Sequence, residues 1–219
     1  MDFNTQLCHL AYKYKSDKTG IYKKFDDKQH CHPYTPEYYK ILLPLKNTCK
    51  ILLEIGIGIV SNLNGGSMNH MEKLNYEPGA SLKMWRDFFP NAIVNGIYIN
   101  VDALFNENRI NTYLCNQTNF YELNKIFNNV YFDFIIDDGS HIDKDQLVTF
   151  NFLRNKLNTG AIYIIEDVLN INLFSDEFIL NHLSNEDLLE IKNNYNIEVH
   201  KFANEIWSED SNFIVIKKL

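Results

Sequence analysis

The run Phe132-Asp133-Phe134-Ile135-Ile136-Asp137-Asp138-Gly139-Ser140-His141 constrains this chain more than any other segment. An apolar stretch of strand length ends abruptly in two carboxylates, a glycine and a histidine. The pattern nearly repeats downstream, where Ala161-Ile162-Tyr163-Ile164-Ile165 runs into Glu166-Asp167. Two strands buried on both faces each deliver acids at their carboxyl ends, with a helix-length segment between them. In an open α/β sheet the ligand crevice lies outside the carboxyl ends of the strands. Acids and a histidine gathered there point to a site that holds a divalent cation and moves a proton.

The rest of the chain supplies the remainder of such a sheet. From Lys50 onward strand and helix patterns alternate, which predicts a mostly parallel sheet with helices on both faces. Ile51–Ile55 reads as the first strand, closed by glycines, and Ala92–Ile99 as the second. Ile110–Leu114 is the third, and the two acid-tipped runs are the fourth and fifth. Ser81–Phe89 places Leu82, Trp85 and Phe88/Phe89 on one helical face, and Pro90 ends it. Helices are also predicted over 121–127 and 144–157 and from Asn185 toward Asn193. A closing hairpin, 197–202 with 211–217, adds antiparallel pairing and brings the expected sheet to seven strands. Residues 1–47 read as a helical segment on the acceptor side, with Thr35-Pro36 as a helix start, and 48–219 as the main unit of a single structural domain.

Composition narrows the function classes. The 219 residues suffice for one full core, and 45% apolar with 22% charged residues is ordinary for a soluble globular protein. A net charge of −7 leaves no basic footprint for nucleic acid or an anionic membrane surface. Cys8, Cys31, Cys49 and Cys115 lack metal-ligand spacing and read as reduced thiols. No segment has the length of a membrane span, and the first residues do not form a signal peptide, so a cytoplasmic protein is expected.

Glu54-Ile55-Gly56-Ile57-Gly58 directly follows the first strand. Glycines there let the backbone turn sharply and approach a ligand. A dinucleotide fingerprint needs a third glycine and an immediate helix, but here Ile59–Pro78 intervenes, which disfavours NAD. Taken in order, the Glu54–Gly58 loop, the Gly79–Ala92 segment, Asp137-Asp138-Gly139-Ser140-His141 and Glu166-Asp167-Val168 resemble class I S-adenosylmethionine (SAM)-dependent methyltransferases. Within that group the pattern is similar to the macrocin and mycinamicin sugar O-methyltransferases and related glycan-cluster methyltransferases. Ser16-Asp17-Lys18 and His32-Pro33-Tyr34-Thr35 resemble that group's N-terminal segment.

The resemblance implies a Rossmann-like SAM-methyltransferase fold and a Mg²⁺-assisted O-methyltransferase acting on a sugar hydroxyl, of a nucleotide sugar or glycan precursor. It implies that Asp138, Glu166 and Asp167 converge on one ion and that His141 is the general base, with Asp138 beside it in the catalytic set. It lays the cofactor against Glu54, Gly56, Gly58, Ser81 and Asp137, and against Tyr98, Asn100, Asn116 and Gln117. It also implies a homo-oligomer as a possible state. Two positions depart from the group: Tyr98 stands where relatives carry the ribose-binding Asp, and Asn116 where they carry an Asp before Gln. A phenol offers one oxygen in place of two, and an amide accepts without charge. A rival reading follows from them, a silent binding or scaffold protein that keeps the fold but has altered or lost SAM binding. A metal-dependent enzyme of other chemistry, such as a hydroxylase, is disfavoured because no two-His-one-carboxylate set is visible. His30, His32 and His70 read as surface residues, and Trp85 and Phe88/Phe89 as core.

Overall fold

Strands that present apolar side chains on both faces pack only where helices cover both sides, and the strand runs of this chain do so. The computed structural model describes residues 1–24, 31–60 and 66–219. In chain order the helices are α1 (Gln6–Tyr14), α2 (Thr35–Leu42), α3 (Ala80–Phe88), α4 (Phe120–Ile126), α5 (Asp143–Leu153), α6 (Asp176–His182) and α7 (Asn185–Asn194). The strands are β1 (Ile51–Ile55), β2 (Ile93–Tyr98), β3 (Asn106–Glu107), β4 (Ile110–Leu114), β5 (Phe132–Asp137), β6 (Leu157–Ile165), β7 (Tyr195–Lys201) and β8 (Asn212–Lys218). They form one sheet in the order β3-β4-β2-β1-β5-β6-β8-β7. The pairs from β4 through β6 are parallel, and β8 and β7 close one edge as an antiparallel hairpin.

The sheet therefore has eight strands, not the seven expected from sequence. The addition is β3, two residues paired antiparallel to β4. Two exposed polar residues carry no periodicity, so nothing local marks them as a strand. The helix expected over 144–157 ends at Leu153, and a short 3₁₀ turn hands the chain to β6 at Leu157. Helix α6 has no counterpart in the sequence reading.

Successive residues of β1 serve opposite cores, as a two-residue period requires. Leu52 packs with Val94, Phe134, Trp85, Phe88 and Phe89 on the face covered by α1, α2 and α3. Leu53 packs with Ile135, Leu147, Phe150 and Ile191 on the face covered by α4 to α7. The N-terminal helices thus share the sheet's own core. Trp85, fully buried against Tyr38, Phe89 and Phe134, anchors that side. Trp85→Ala is expected to cost about 3–5 kcal/mol, read as a drop in the urea midpoint at constant m value. No helix among the described residues is long and apolar enough to cross a membrane.

The chain runs β1-β2-β4 outward in one direction and then crosses to β5 on the other side of β1. The strand order reverses between β1 and β5, and the carboxyl ends of β1, β5 and β6 lie side by side there.

Candidate active site

At the end of β1 the chain must turn within one residue. Gly56 does so at φ 96°, its N–H donating to the Ile97 carbonyl at 3.0 Å. A Cβ on Gly56 would stand 1.9 Å from the carbonyl oxygen of Asp138, so the loop after β5 occupies the space a side chain would need. Gly58 turns at φ 77°, with Tyr76 Oη 2.6 Å from where its Cβ would lie. Glu54 is fully buried on β1, and Lys18 Nζ lies 3.8 Å from its Oε1. Burial pushes its carboxyl up to about 8, with Lys18 pulling the other way, Asp138 adding to the rise, and Ser81, buried in the first turn of α3, lowering it.

The pleat of β5 separates its two terminal acids. Asp137 points inward, completely buried, where Tyr163 Oη donates to Oδ2 at 3.2 Å, Gln117 Nε2 lies 3.3 Å from both oxygens and Gly139 N–H donates to Oδ1 at 3.2 Å. Burial pushes this carboxyl up to about 7. Its role in the structure is to hold the turn from below. Asp138 faces outward into the cleft. His141 follows at φ 55°, a left-handed conformation uncommon for a residue other than glycine, and its Nε2 lies 3.7 Å from Asp138 Oδ1. Asp167, after β6, adopts the same conformation at φ 53°. Strain of this kind persists only where surrounding contacts over-determine it, and it gathers at functional sites. Burial alone would lower the His141 pKa, but Asp138, Asp167 and Asp137 together outweigh it and hold the imidazole above its ordinary value.

The segment before β1 closes the site from the far side. Tyr34 Oη donates to Asp167 Oδ1 at 2.6 Å, and Tyr38 Oη donates to Glu166 Oε1 at 2.8 Å. His32, almost fully buried and stacked on Tyr34, sets Nδ1 3.0 Å from Ser211 Oγ and Nε2 3.6 Å from Asp167 Oδ2. His70 Nε2 lies 3.5 Å from Asp17 Oδ2. Lys18 reaches under the strand tips to Asp138 and Glu166. Burial raises the carboxyls of Glu166 and Asp167 above their ordinary range, against the pull of Lys18 on the first and His32 on the second.

Two cavities meet over this loop cluster and share Tyr98 and Gly139. A cleft of about 250 Å³ is lined by Gly58, Asp138, His141 and Asp167 together with Asp17, His32, His70 and Asp210. A second cavity of about 330 Å³ is lined by Gly56, Ile99, Asn116, Gln117, Ser140 and Ile142, among others. Tyr98 stands between them with its hydroxyl 3.0 Å from Ser67 Oγ, which leaves the larger cavity open.

Among the residues expected at the cofactor, Gly56, Gly58, Tyr98, Asn116 and Gln117 border these cavities. Glu54, Ser81, Asn100 and Asp137 are not part of either wall. Asn100 caps a short 3₁₀ turn, accepting from Asp102 N–H at 3.0 Å, and the others point into the interior. Among the described residues, the group whose ligand atoms lie within 4.8 Å of one another is Asp138, His141 and Asp167. Glu166, expected as the third metal ligand, is instead turned toward Lys18 and Tyr38, because the strand it ends is covered there by the N-terminal segment. His32 and His70 both line the cleft rather than the open surface, and His30 lies outside the described residues. The sequence reading gave no role to Lys18, Tyr34 or Tyr38. The one available signal was that Ser16-Asp17-Lys18 and His32-Pro33-Tyr34 stand out as compact polar motifs in a helical segment.

No family model matches the chain. Among curated proteins it is similar to mycinamicin VI 2''-O-methyltransferase of Micromonospora griseorubida, at 32% identity over 163 residues, 74% of this chain and 36% of that protein. It is also similar to 8-demethyl-8-alpha-L-rhamnosyl tetracenomycin-C 2'-O-methyltransferase of Streptomyces olivaceus, at 29% identity over 74% of this chain and 37% of that protein. The chain thus spans little more than a third of the length of these relatives. Among solved structures it is similar to the MycE methyltransferase of the mycinamycin pathway in complex with Mg, SAH and mycinamycin VI, with a TM-score of 0.68 and 26% identity over 98% of this chain and 54% of that one. An O-methyltransferase from Bacillus cereus in complex with SAH shares the fold over 97% of this chain, with a TM-score of 0.52 and 13% identity.

Proposed function

We propose, for a chain that has the class I SAM-dependent methyltransferase fold and resembles the macrolide sugar O-methyltransferases, that it methylates a sugar hydroxyl with SAM as donor and Mg²⁺ as helper. The observation that carries this reading is the meeting of two cavities over Gly56, Gly58 and Gly139, with Asp138, His141 and Asp167 gathered on one side. The larger cavity suits the adenosine end of a cofactor, with Asn116 and Gln117 on its wall. The path across Gly139 leads to the cleft, where the carboxylate oxygens of Asp138 and Asp167 suit a hard divalent ion. Bound there, SAM would supply a methyl already activated by its sulfonium and Mg²⁺ a Lewis acid for a sugar oxygen.

The chain's own residues do the remaining work. Asp138 and Asp167 would hold the ion, and Tyr34 and His32 fix Asp167 in place. His141, at the cleft wall, takes the hydroxyl proton as the methyl transfers. The N-terminal segment contributes the acceptor side through Asp17 and His32. Among the described residues the cleft wall carries Asp17, Asp138, Asp167 and Asp210 and no lysine or arginine. The open larger cavity beside Tyr98 supports the enzyme reading over a silent scaffold.

Isothermal titration tests the proposal. The protein is expected to bind SAH and, separately, one Mg²⁺ or Mn²⁺ per chain, and Asp167→Asn to weaken the ion by ~10-fold or more. No heat with either SAM or SAH at hundreds of micromolar protein would sink the cofactor assignment.

A further inference from the structure

Lysine is almost never fully buried unless its ammonium is paired. Lys18 is 2% exposed. Its backbone is fixed at both ends: Ser16 N–H donates to the Ala11 carbonyl at 2.9 Å, and the Lys18 carbonyl accepts from Tyr34 and Thr35 N–H at 3.2 and 3.1 Å. Its Nζ sits among carboxylates from three adjacent strands. It contacts Asp138 Oδ2 at 2.5 Å beyond β5 and Glu166 Oε2 beyond β6, and lies 3.8 Å from Glu54 Oε1 on β1. Both Glu54 oxygens are completely buried, and among the described residues the Lys18 ammonium is the cation beside them. Asp138 has two sides. Oδ2 meets the ammonium, while Oδ1 faces His141 in the group that Asp167 completes.

We infer that Lys18 is the fixed cation of a two-cation site. Its ammonium compensates the inner acids Asp138 and Glu166, with Glu54 3.8 Å away, and confines a divalent ion to the outer side, where Asp138 and Asp167 hold it beside His141. Asp138 is shared by both cations. Lys18 is therefore a positioning residue, and the inference rests on the metal-assisted reading above. Without the ammonium the buried acids Glu54, Asp138 and Glu166 lose their compensating charge and must repel one another or take up protons, and the fold loses stability. With it, a divalent ion on the same carboxylate meets a like charge and is held less tightly than the acids alone would hold it.

The test uses Mn²⁺ alone as probe, with isothermal titration and thermal unfolding of the wild type, Lys18→Met and Lys18→Arg. Methionine keeps much of the lysine's length without its charge. Lys18→Met is expected to unfold at a lower temperature in the absence of ion, to bind Mn²⁺ ~10-fold or more tightly than the wild type, and to recover most of its lost stability when the ion is present. Lys18→Arg, which keeps the charge, is expected to retain wild-type affinity. Equal or weaker Mn²⁺ binding by Lys18→Met overturns the inference, as does an equal tightening in Lys18→Arg, which would trace the effect to packing. Should Lys18→Met fail to fold alone, refolding with millimolar Mn²⁺ decides: recovery supports the substitution of one cation for the other, and failure to recover refutes it. A wild type that binds no Mn²⁺ sinks the metal-assisted reading and this inference with it, whereas wild-type binding matched by Lys18→Met sinks this inference alone.

Discussion

His141→Ala is expected to lower methyl transfer to an acceptor sugar by ~10²–10⁴ while leaving SAH affinity nearly unchanged. A general base acts on the developing transition state and contributes little to ground-state binding of the cofactor. The geometry suits a clean test, because the His141 side chain is 40% exposed and lies at the cleft rather than in the core. Its φ of 55° brings one complication, since alanine tolerates the left-handed region no better than histidine. His141→Asn provides the control: asparagine adopts that conformation more readily and removes the base all the same. Both variants are expected to show the same loss of turnover. Turnover unimpaired in either would take His141 out of the mechanism, and a parallel fall in SAH affinity would make it a structural post of the pocket.

Gly56→Ala is expected to destabilise the fold itself by about 4 kcal/mol or more, enough to unfold a marginal domain. Sequence reasoning expects a side chain here to block the cofactor. The structure puts the protein's own backbone in the way first, since the new Cβ would sit 1.9 Å from the Asp138 carbonyl oxygen. Neither partner can yield cheaply. Asp138 N–H is bound to the Ile55 carbonyl at 2.8 Å and Gly56 N–H to the Ile97 carbonyl at 3.0 Å, so the clash lies between two pinned loops. The φ of 96° adds strain for any residue with a Cβ. Gly160→Ala isolates that second term. It too has a positive φ, 75°, but a Cβ there meets nothing within 4 Å. It is expected to cost only about 1–2 kcal/mol. Chemical denaturation of both variants checks the difference, and equal midpoints would show that the loops after β1 and β5 do not approach as closely as described.

The sheet was legible because its signal is local. Apolar runs at 51–55, 132–137 and 161–165 have strand length, isoleucine-rich content and abrupt polar ends, and the acids that end them follow from position alone. The same logic placed Asp138, His141, Glu166 and Asp167 at neighbouring strand ends, and the structure gathers Asp138, His141 and Asp167 while Glu166 turns to Lys18 and Tyr38. Local pattern could not say which way each acid faces. Asp137 and Asp138 are adjacent in sequence, yet the pleat sends one under the turn and the other into the cleft.

The charge balance of the site comes from long-range packing. Lys18 meets Asp138 across 120 residues of chain and Glu166 across 148. Tyr34 reaches Asp167 across 133 and Tyr38 reaches Glu166 across 128. A lysine or tyrosine in a short polar motif looks like any solvated residue until the fold removes water from around it. Burial then makes its partner obligatory, because an unpaired charge in the interior costs more than the chain can spare. Local pattern accounts for the sheet and for the acids at the carboxyl ends of β5 and β6. Packing of the N-terminal segment over those acids determined which of them face inward to a lysine and which remain open to a ligand.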